Sequence, residues 1–75
     1  METLNKVCEI VAQVCGVDVN EVNENSAIGD FPQWDSIGHL TILSTIESQM
    51  GISFEPEEMM ELEDVKDIVR AVESK

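Results

Sequence analysis

"FPQWDSIGHLTIL", residues 31–43, passes from an aromatic loop through Asp35 and Ser36 into a run with apolar residues at 37, 40, 42 and 43 that continues to Ile46 and Met50. Residues three and four apart share one face of a helix, so the run predicts an amphipathic helix opening at Asp35 or Ser36. Gly51 supplies the permissive backbone that ends it. Asp and Ser suit the opening because their side-chain oxygens accept hydrogen bonds from first-turn amides. The returning Glu or Gln of a capping box is missing, with Gly38 and His39 in its place. Ile37 and Ile42 sit toward opposite edges of a wide apolar arc, which predicts that this helix is the most enclosed.

Upstream, apolar residues at 4, 7, 8, 11, 14 and 15 oppose Asn5, Lys6, Glu9 and Gln13, predicting a first helix capped by Thr3 and closed by Gly16. Downstream, Pro56 followed by Glu57 and Glu58 marks a short helix start, because proline suits the first turn and the dipole favours anions there. Met59, Met60 and Leu62 give this element something to bury. Asp64 then caps a last helix with apolar residues at 65, 68, 69 and 72, and with Lys66, Asp67, Arg70 and Glu73 facing water. No stretch alternates long enough to predict a strand, so the chain reads as all-α. Residues 17–34 form an unusually long connection. Val17, Val19, Val22, Ile28, Phe31 and Trp34 punctuate it, and Asp18 with Glu21 can cap a single turn. Such a segment is expected to lie across the helix ends with its apolar side chains inserted between them.

Seventy-five residues allow one domain, 1–75, with a thin core. Aromatics are scarce, so aliphatic side chains and methionines must fill the interior. Sixteen Asp and Glu against four Lys and Arg give a formal charge of −12. That field repels nucleic acid and anionic membrane and draws in basic protein surfaces. Cys8 and Cys15 lie on one predicted helix with Cα atoms about 10.5 Å apart, too far for a bridge, and read as small core residues. With no leader pattern or long apolar span, the expectation is a soluble, cytoplasmic monomer.

Ser36, in the first turn of its helix, presents its hydroxyl where unpaired amides and the positive dipole end converge, so a phosphate ester is electrostatically favoured there. Gly38 reads as clearance beside that hydroxyl, at a helix-propensity cost of roughly 1 kcal/mol relative to Ala. A hydrolase reading would enlist His39 as general base, but two neighbouring groups on one outward helix lack an oxyanion hole and a pocket. His39 is therefore expected to be a partly exposed recognition residue. A calcium loop fails in both registers: starting at Asp18 puts Asn23 at the sixth position and Gly29 at the last, and starting at Glu21 ends on Pro32. One His and two Cys on a helix face support zinc no better, so no metal site is assigned.

The stretches "WDSIGHL", "VCGVDVNEVNENSAIGDF" and "ELEDVKDIVRAV" together resemble the acyl carrier proteins and their peptidyl and D-alanyl relatives, over essentially the whole chain. The resemblance implies a four-helix bundle, three longer helices and one short, with a long first loop. It also implies that Ser36 receives 4′-phosphopantetheine from coenzyme A in a magnesium-dependent transfer by a separate phosphopantetheinyl transferase. The protein would then be a carrier without turnover of its own, holding acyl or aminoacyl groups as thioesters. Asp35 would cap the helix and aid recognition by the transferase. Ile37, Leu40, Glu47, Glu57 and Glu58 would contact partners, namely an acyl-loading ligase or transferase and synthase enzymes with basic docking surfaces. Carriers of fatty-acid synthesis usually bear several acids along the second helix, where this chain has Gly38, His39, Thr41 and Ser48. Acid gathers instead at residues 55–64. That pattern points to a specialised carrier serving a polyketide, peptide, modified-lipid or cell-surface polymer pathway. The competing reading is an acidic helical adaptor that binds basic proteins without covalent modification.

Overall fold

The computed structural model describes residues 2–75 and consists of four α-helices: α1 (Glu2–Cys15), α2 (Ser36–Met50), α3 (Pro56–Glu61) and α4 (Val65–Glu73). α1 packs against both α2 and α4. Its stripe of Val7, Cys8, Val11 and Cys15 meets Ile42, Leu43 and Ile46 of α2 and Val65, Ile68 and Val69 of α4 in one buried cluster. Gly16 and Gly51 stop α1 and α2 at φ +68° and +67°, where a side chain would be strained. α1 already includes Thr3, so that residue lies within the helix and does not cap it.

Enclosure is distributed differently from the expectation. α1 carries Val7, Cys8, Ile10, Val11, Ala12 and Cys15 as buried residues, whereas α2 leaves Ile37 76% and Leu40 53% exposed. The wide apolar arc of α2 therefore splits, with Ile42, Leu43 and Ile46 in the core and Ile37 and Leu40 facing outward. α3 buries no residue fully: Met59 is half-buried, Met60 is exposed, and Leu62, just beyond the helix, takes the core position.

The long connection holds a single 3-10 turn, Val19–Glu21, whose cap Asp18 accepts from the Asn20 amide at 2.9 Å. Val22 and Trp34 insert into the core as expected, while Val19 and Ile28 stay exposed. What holds the loop is mainly backbone. Ile28 N–H donates to the Glu63 carbonyl at 2.9 Å, and Val65 and Lys66 donate to the carbonyls of Ser26 and Glu24 at 2.9 and 3.0 Å. These bonds make one isolated antiparallel bridge, Ala27 to Asp64. They also satisfy amides that every helix start leaves without an internal partner. Among the described residues, no helix is long and apolar enough to cross a membrane.

Candidate functional site

Asp35 is the N-cap of α2. Its Oδ1 accepts from the Gly38 amide at 2.8 Å, and its carbonyl accepts from His39 N–H, also at 2.8 Å. The amides of Ser36 and Ile37 make no hydrogen bond to other described residues. Ser36 is itself exposed. A hydroxyl, two free N–H groups and the positive end of a fifteen-residue helix thus share one accessible corner. That arrangement suits a phosphate oxygen.

The corner is held from beneath by a contact that the sequence reading missed. Trp34, fully buried, donates its indole N–H to His39 Nδ1 at 2.9 Å, and the two rings stack with centroids 6.1 Å apart. His39 is only 6% exposed, which corrects its expected place on the surface. Residues immediately before the N-cap and four positions into a helix commonly pack together and fix the angle at which the chain enters. Trp34 and His39 occupy those positions, and their spacing across Asp35 was the available signal.

Gly38 also has a different reason from the expected one. A Cβ at this position would come within 1.9 Å of the Gln33 carbonyl oxygen, so glycine is required by backbone approach, independent of access to the serine. The Gln33 carbonyl is brought there by the tight turn in which Trp34 N–H donates to the Phe31 carbonyl at 2.9 Å. Gly29 N–H donates to the Trp34 carbonyl at 2.8 Å and continues the same knot.

From Ser36 a groove of about 510 Å³ runs between α2 and α3, lined by Ile28, His39, Leu40, Met59 and Leu62, with Pro56, Met60 and Glu63 at its margins. Its walls are largely apolar, as small-molecule grooves usually are, with few polar groups to orient an occupant. A flexible chain tethered at Ser36 by a phosphoester fits this setting. A phosphate oxygen there would meet the unpartnered amides at the helix tip, with an apolar trough beside it.

The acidic residues expected to meet partners are not equivalent. Glu57 is exposed. Glu47 Oε2 accepts from the Phe54 amide at 2.7 Å, so one carboxylate oxygen braces the connection between α2 and α3. Glu58 completes a capping box with Glu55, its Oε1 accepting from the Glu55 amide at 3.2 Å. The same oxygen meets Lys75 Nζ at 2.7 Å. The Lys75 hydrogen bond, joined by the Glu55 amide, holds the Glu58 carboxyl below its ordinary range against a smaller opposing effect of burial. Ile37 and Leu40 stand free on the outer face of α2 beside Ser36. Cys8 and Cys15 are free thiols whose burial pushes their pKa up, which disfavours the reactive thiolate. Among the described residues no group of three or more His, Cys, Asp or Glu is placed to hold a metal ion.

Comparison with known proteins spans nearly the whole chain. Residues 5–72 match the family model described as a phosphopantetheine attachment site. A D-alanyl carrier protein of Bacillus pumilus (strain SAFR-032) is 45% identical over 53 residues, covering 71% of this chain and 68% of that protein. An acyl carrier protein of Myxococcus xanthus is 34% identical over 68 residues, covering 91% of this chain and 86% of that protein. One of Solidesulfovibrio magneticus (strain ATCC 700980 / DSM 13731 / RS-1) is 28% identical over 75 residues, covering 100% and 96%.

Proposed function

The chain belongs to the phosphopantetheine-attachment carrier family, whose 4′-phosphopantetheine is covalently bound, and from that premise we propose that its arm is attached to Ser36 Oγ and carries acyl or aminoacyl groups between enzymes. The observation that supports this reading most is the exposed hydroxyl beside two unpartnered amides at the mouth of an apolar groove. When bound, the group supplies a flexible tether ending in a thiol, which holds cargo as a thioester. The chain's own part is to present, orient and shelter.

Attachment forms one Oγ–P bond at Ser36 and breaks the pyrophosphate linkage of coenzyme A. The nucleotide departs, and the hydroxyl proton passes to the transferase. Asp35 fixes the first turn so that the hydroxyl keeps its position, and its exposed carboxylate is a contact for the transferase. Ile37 and Leu40 offer apolar docking area beside the attachment point, and Glu57 offers charge on the neighbouring helix. Glu47 and Glu58 hold the wall of the groove in place and reach partners only through their remaining oxygens. Partners are a phosphopantetheinyl transferase, an enzyme that loads the arm, and synthases with basic docking surfaces. The carrier unit spans residues 1–75, acts as a monomer in the cytoplasm and has no turnover of its own.

The thin acidic strip on α2, together with identity to a D-alanyl carrier protein as well as to acyl carrier proteins, supports a specialised carrier outside housekeeping fatty-acid synthesis. Incubating the purified protein with coenzyme A, magnesium and a broad-specificity transferase should add the mass of one phosphopantetheine, and none to Ser36→Ala. No gain, with a control carrier modified in parallel, would favour the acidic adaptor instead.

A further inference from the structure

His39 has a second ring nitrogen that the packing leaves unused. Because Nδ1 accepts the Trp34 indole proton at 2.9 Å, the tautomer that makes this bond carries its own proton on Nε2. That N–H is buried, with less than 1 Å² of surface, and finds no acceptor among the described residues. Buried donors are nearly always paired, and each exception calls for a reason. Stapling Trp34 accounts for Nδ1 alone and leaves the Nε2 donor without a role.

The orphan donor lies on a residue that lines the groove beginning at Ser36. Three positions along a helix make the two residues neighbours on its surface. Ile28, Leu40 and Leu62 line the same groove with no side-chain acceptor, and the Met59 thioether is a weak one. The Ser36 hydroxyl and Glu63 carboxylate, also on the lining, make no hydrogen bond to this nitrogen. A donor in such a trough selects for a carbonyl oxygen, which a plain hydrocarbon chain lacks.

We propose that His39 is a binding residue of this groove, its Nε2–H donating to a carbonyl oxygen, amide or thioester, of the loaded arm on Ser36. The inference rests on the carrier reading and adds to it a specific polar anchor in the groove. Since Nε2 is screened, the carbonyl enters by displacing a lining side chain. Met59 and Met60, unbranched and with several rotatable bonds, form the side that can yield.

The test is imidazole nitrogen NMR on ¹⁵N-labelled full-length protein in four states: unmodified, carrying the free-thiol arm, carrying an acetyl thioester, and carrying an S-propyl thioether without the terminal carbonyl. Intact mass verifies each state. A downfield shift and slowed solvent exchange of the His39 Nε2 proton with the free-thiol arm assigns an amide of the arm as acceptor. The same change with the acetyl thioester, but not with the thiol or thioether, assigns the cargo carbonyl. An unchanged signal in every modified state overturns the inference and leaves the carrier reading standing, whereas a protein that never accepts the arm overturns both. Two variants separate binding from packing. His39→Asn keeps an acceptor for Trp34 and removes the Nε2 donor; His39→Gln places an amide donor near the Nε2 position. The methyl shifts of Leu40 and Met59 produced by loading should collapse toward the unmodified values in His39→Asn and persist in His39→Gln. Equal retention in both would show His39 to be a packing residue only.

Discussion

α2 and α4 both begin at an aspartate, Asp35 and Asp64, whose carboxylate accepts from the amide three residues on, at 2.8 and 2.9 Å. Beyond that bond the two ends differ. At α4 the first two helical amides, Val65 and Lys66, are taken by loop carbonyls, and nothing is left for a ligand. At α2 the corresponding amides, those of Ser36 and Ile37, stay free, and the loop instead passes underneath to place Trp34 against His39. One capping chemistry therefore serves two ends: the long connection closes one helix start and props the other open. A functional corner needs both, because an open helix end is useful only if its angle is fixed.

The strongest way to break this comparison is to remove the prop. Trp34→Ala deletes a fully buried aromatic and should cost about 3–5 kcal/mol of stability. Glu63→Ala, the residue in the equivalent place before the α4 cap and exposed, should change stability by less than about 0.5 kcal/mol. Urea denaturation followed by far-UV circular dichroism measures both. Equal losses would mean that Trp34 does not act as the support of α2.

Next in size is the third helical residue of each end. Gly38→Ala puts a methyl group where the Gln33 carbonyl stands 1.9 Å away, and backbone must shift, at a cost of about 1–3 kcal/mol despite the better helix propensity of alanine. Asp67→Ala at α4 loses a stretched 3.9 Å pair with Arg70, largely solvent-exposed on the arginine side, and should cost under about 1 kcal/mol. If Gly38→Ala were neutral or stabilising, the close approach of Gln33 would have no energetic consequence.

These two results concern what the sequence shows least directly. Five of the helix limits were legible because Asp35, Asp64, Pro56, Gly16 and Gly51 act through local chemistry, each on the turn that it begins or ends, whereas Thr3 lies inside α1. The place of Ser36, exposed in the first turn of a capped helix, was legible for the same reason. His39 was not, because its burial depends on a partner on the other side of the cap, and a staple is usually recognised by two apolar residues. Gly38 was misread because the oxygen that requires it belongs to a backbone turn and leaves no mark on side-chain pattern. The stitching of the loop to α4 is backbone to backbone and equally silent. Met60 looked like a core residue by type, but α3 is only six residues long and Leu62 fills the place available.

The caps themselves come third. Asp35→Ala and Asp64→Ala should each cost about 1 kcal/mol, the usual worth of such a residue. The comparison sharpens when the loss is mapped by hydrogen exchange. In Asp64→Ala the loop bonds to Val65 and Lys66 should keep the α4 start protected, while in Asp35→Ala the first turn of α2 has no such second anchor and should fray. Comparable protection at both ends would remove the distinction between a closed and an open start.

The smallest effect is the most telling for function, because two electrostatic influences oppose each other at Ser36. A phosphoester adds a negative charge to a chain already at −12, which disfavours the compact state. It also places anionic oxygens at the first turn of a helix with two free amides, where such contacts contribute roughly 0.3–1 kcal/mol. At physiological ionic strength charges more than about 8 Å apart are largely screened, whereas the first-turn contact is short-range, so the local term should win. The modified protein is therefore expected to unfold later than the unmodified one by about 0.3–1 kcal/mol in urea at moderate salt. Amide proton shifts locate the cause: Ser36 and Ile37 should move downfield on modification, and Val65 and Lys66 should not. A modified protein no more stable than the unmodified one, with Ser36 and Ile37 amides unmoved, would mean that the open end of α2 does not receive the phosphate.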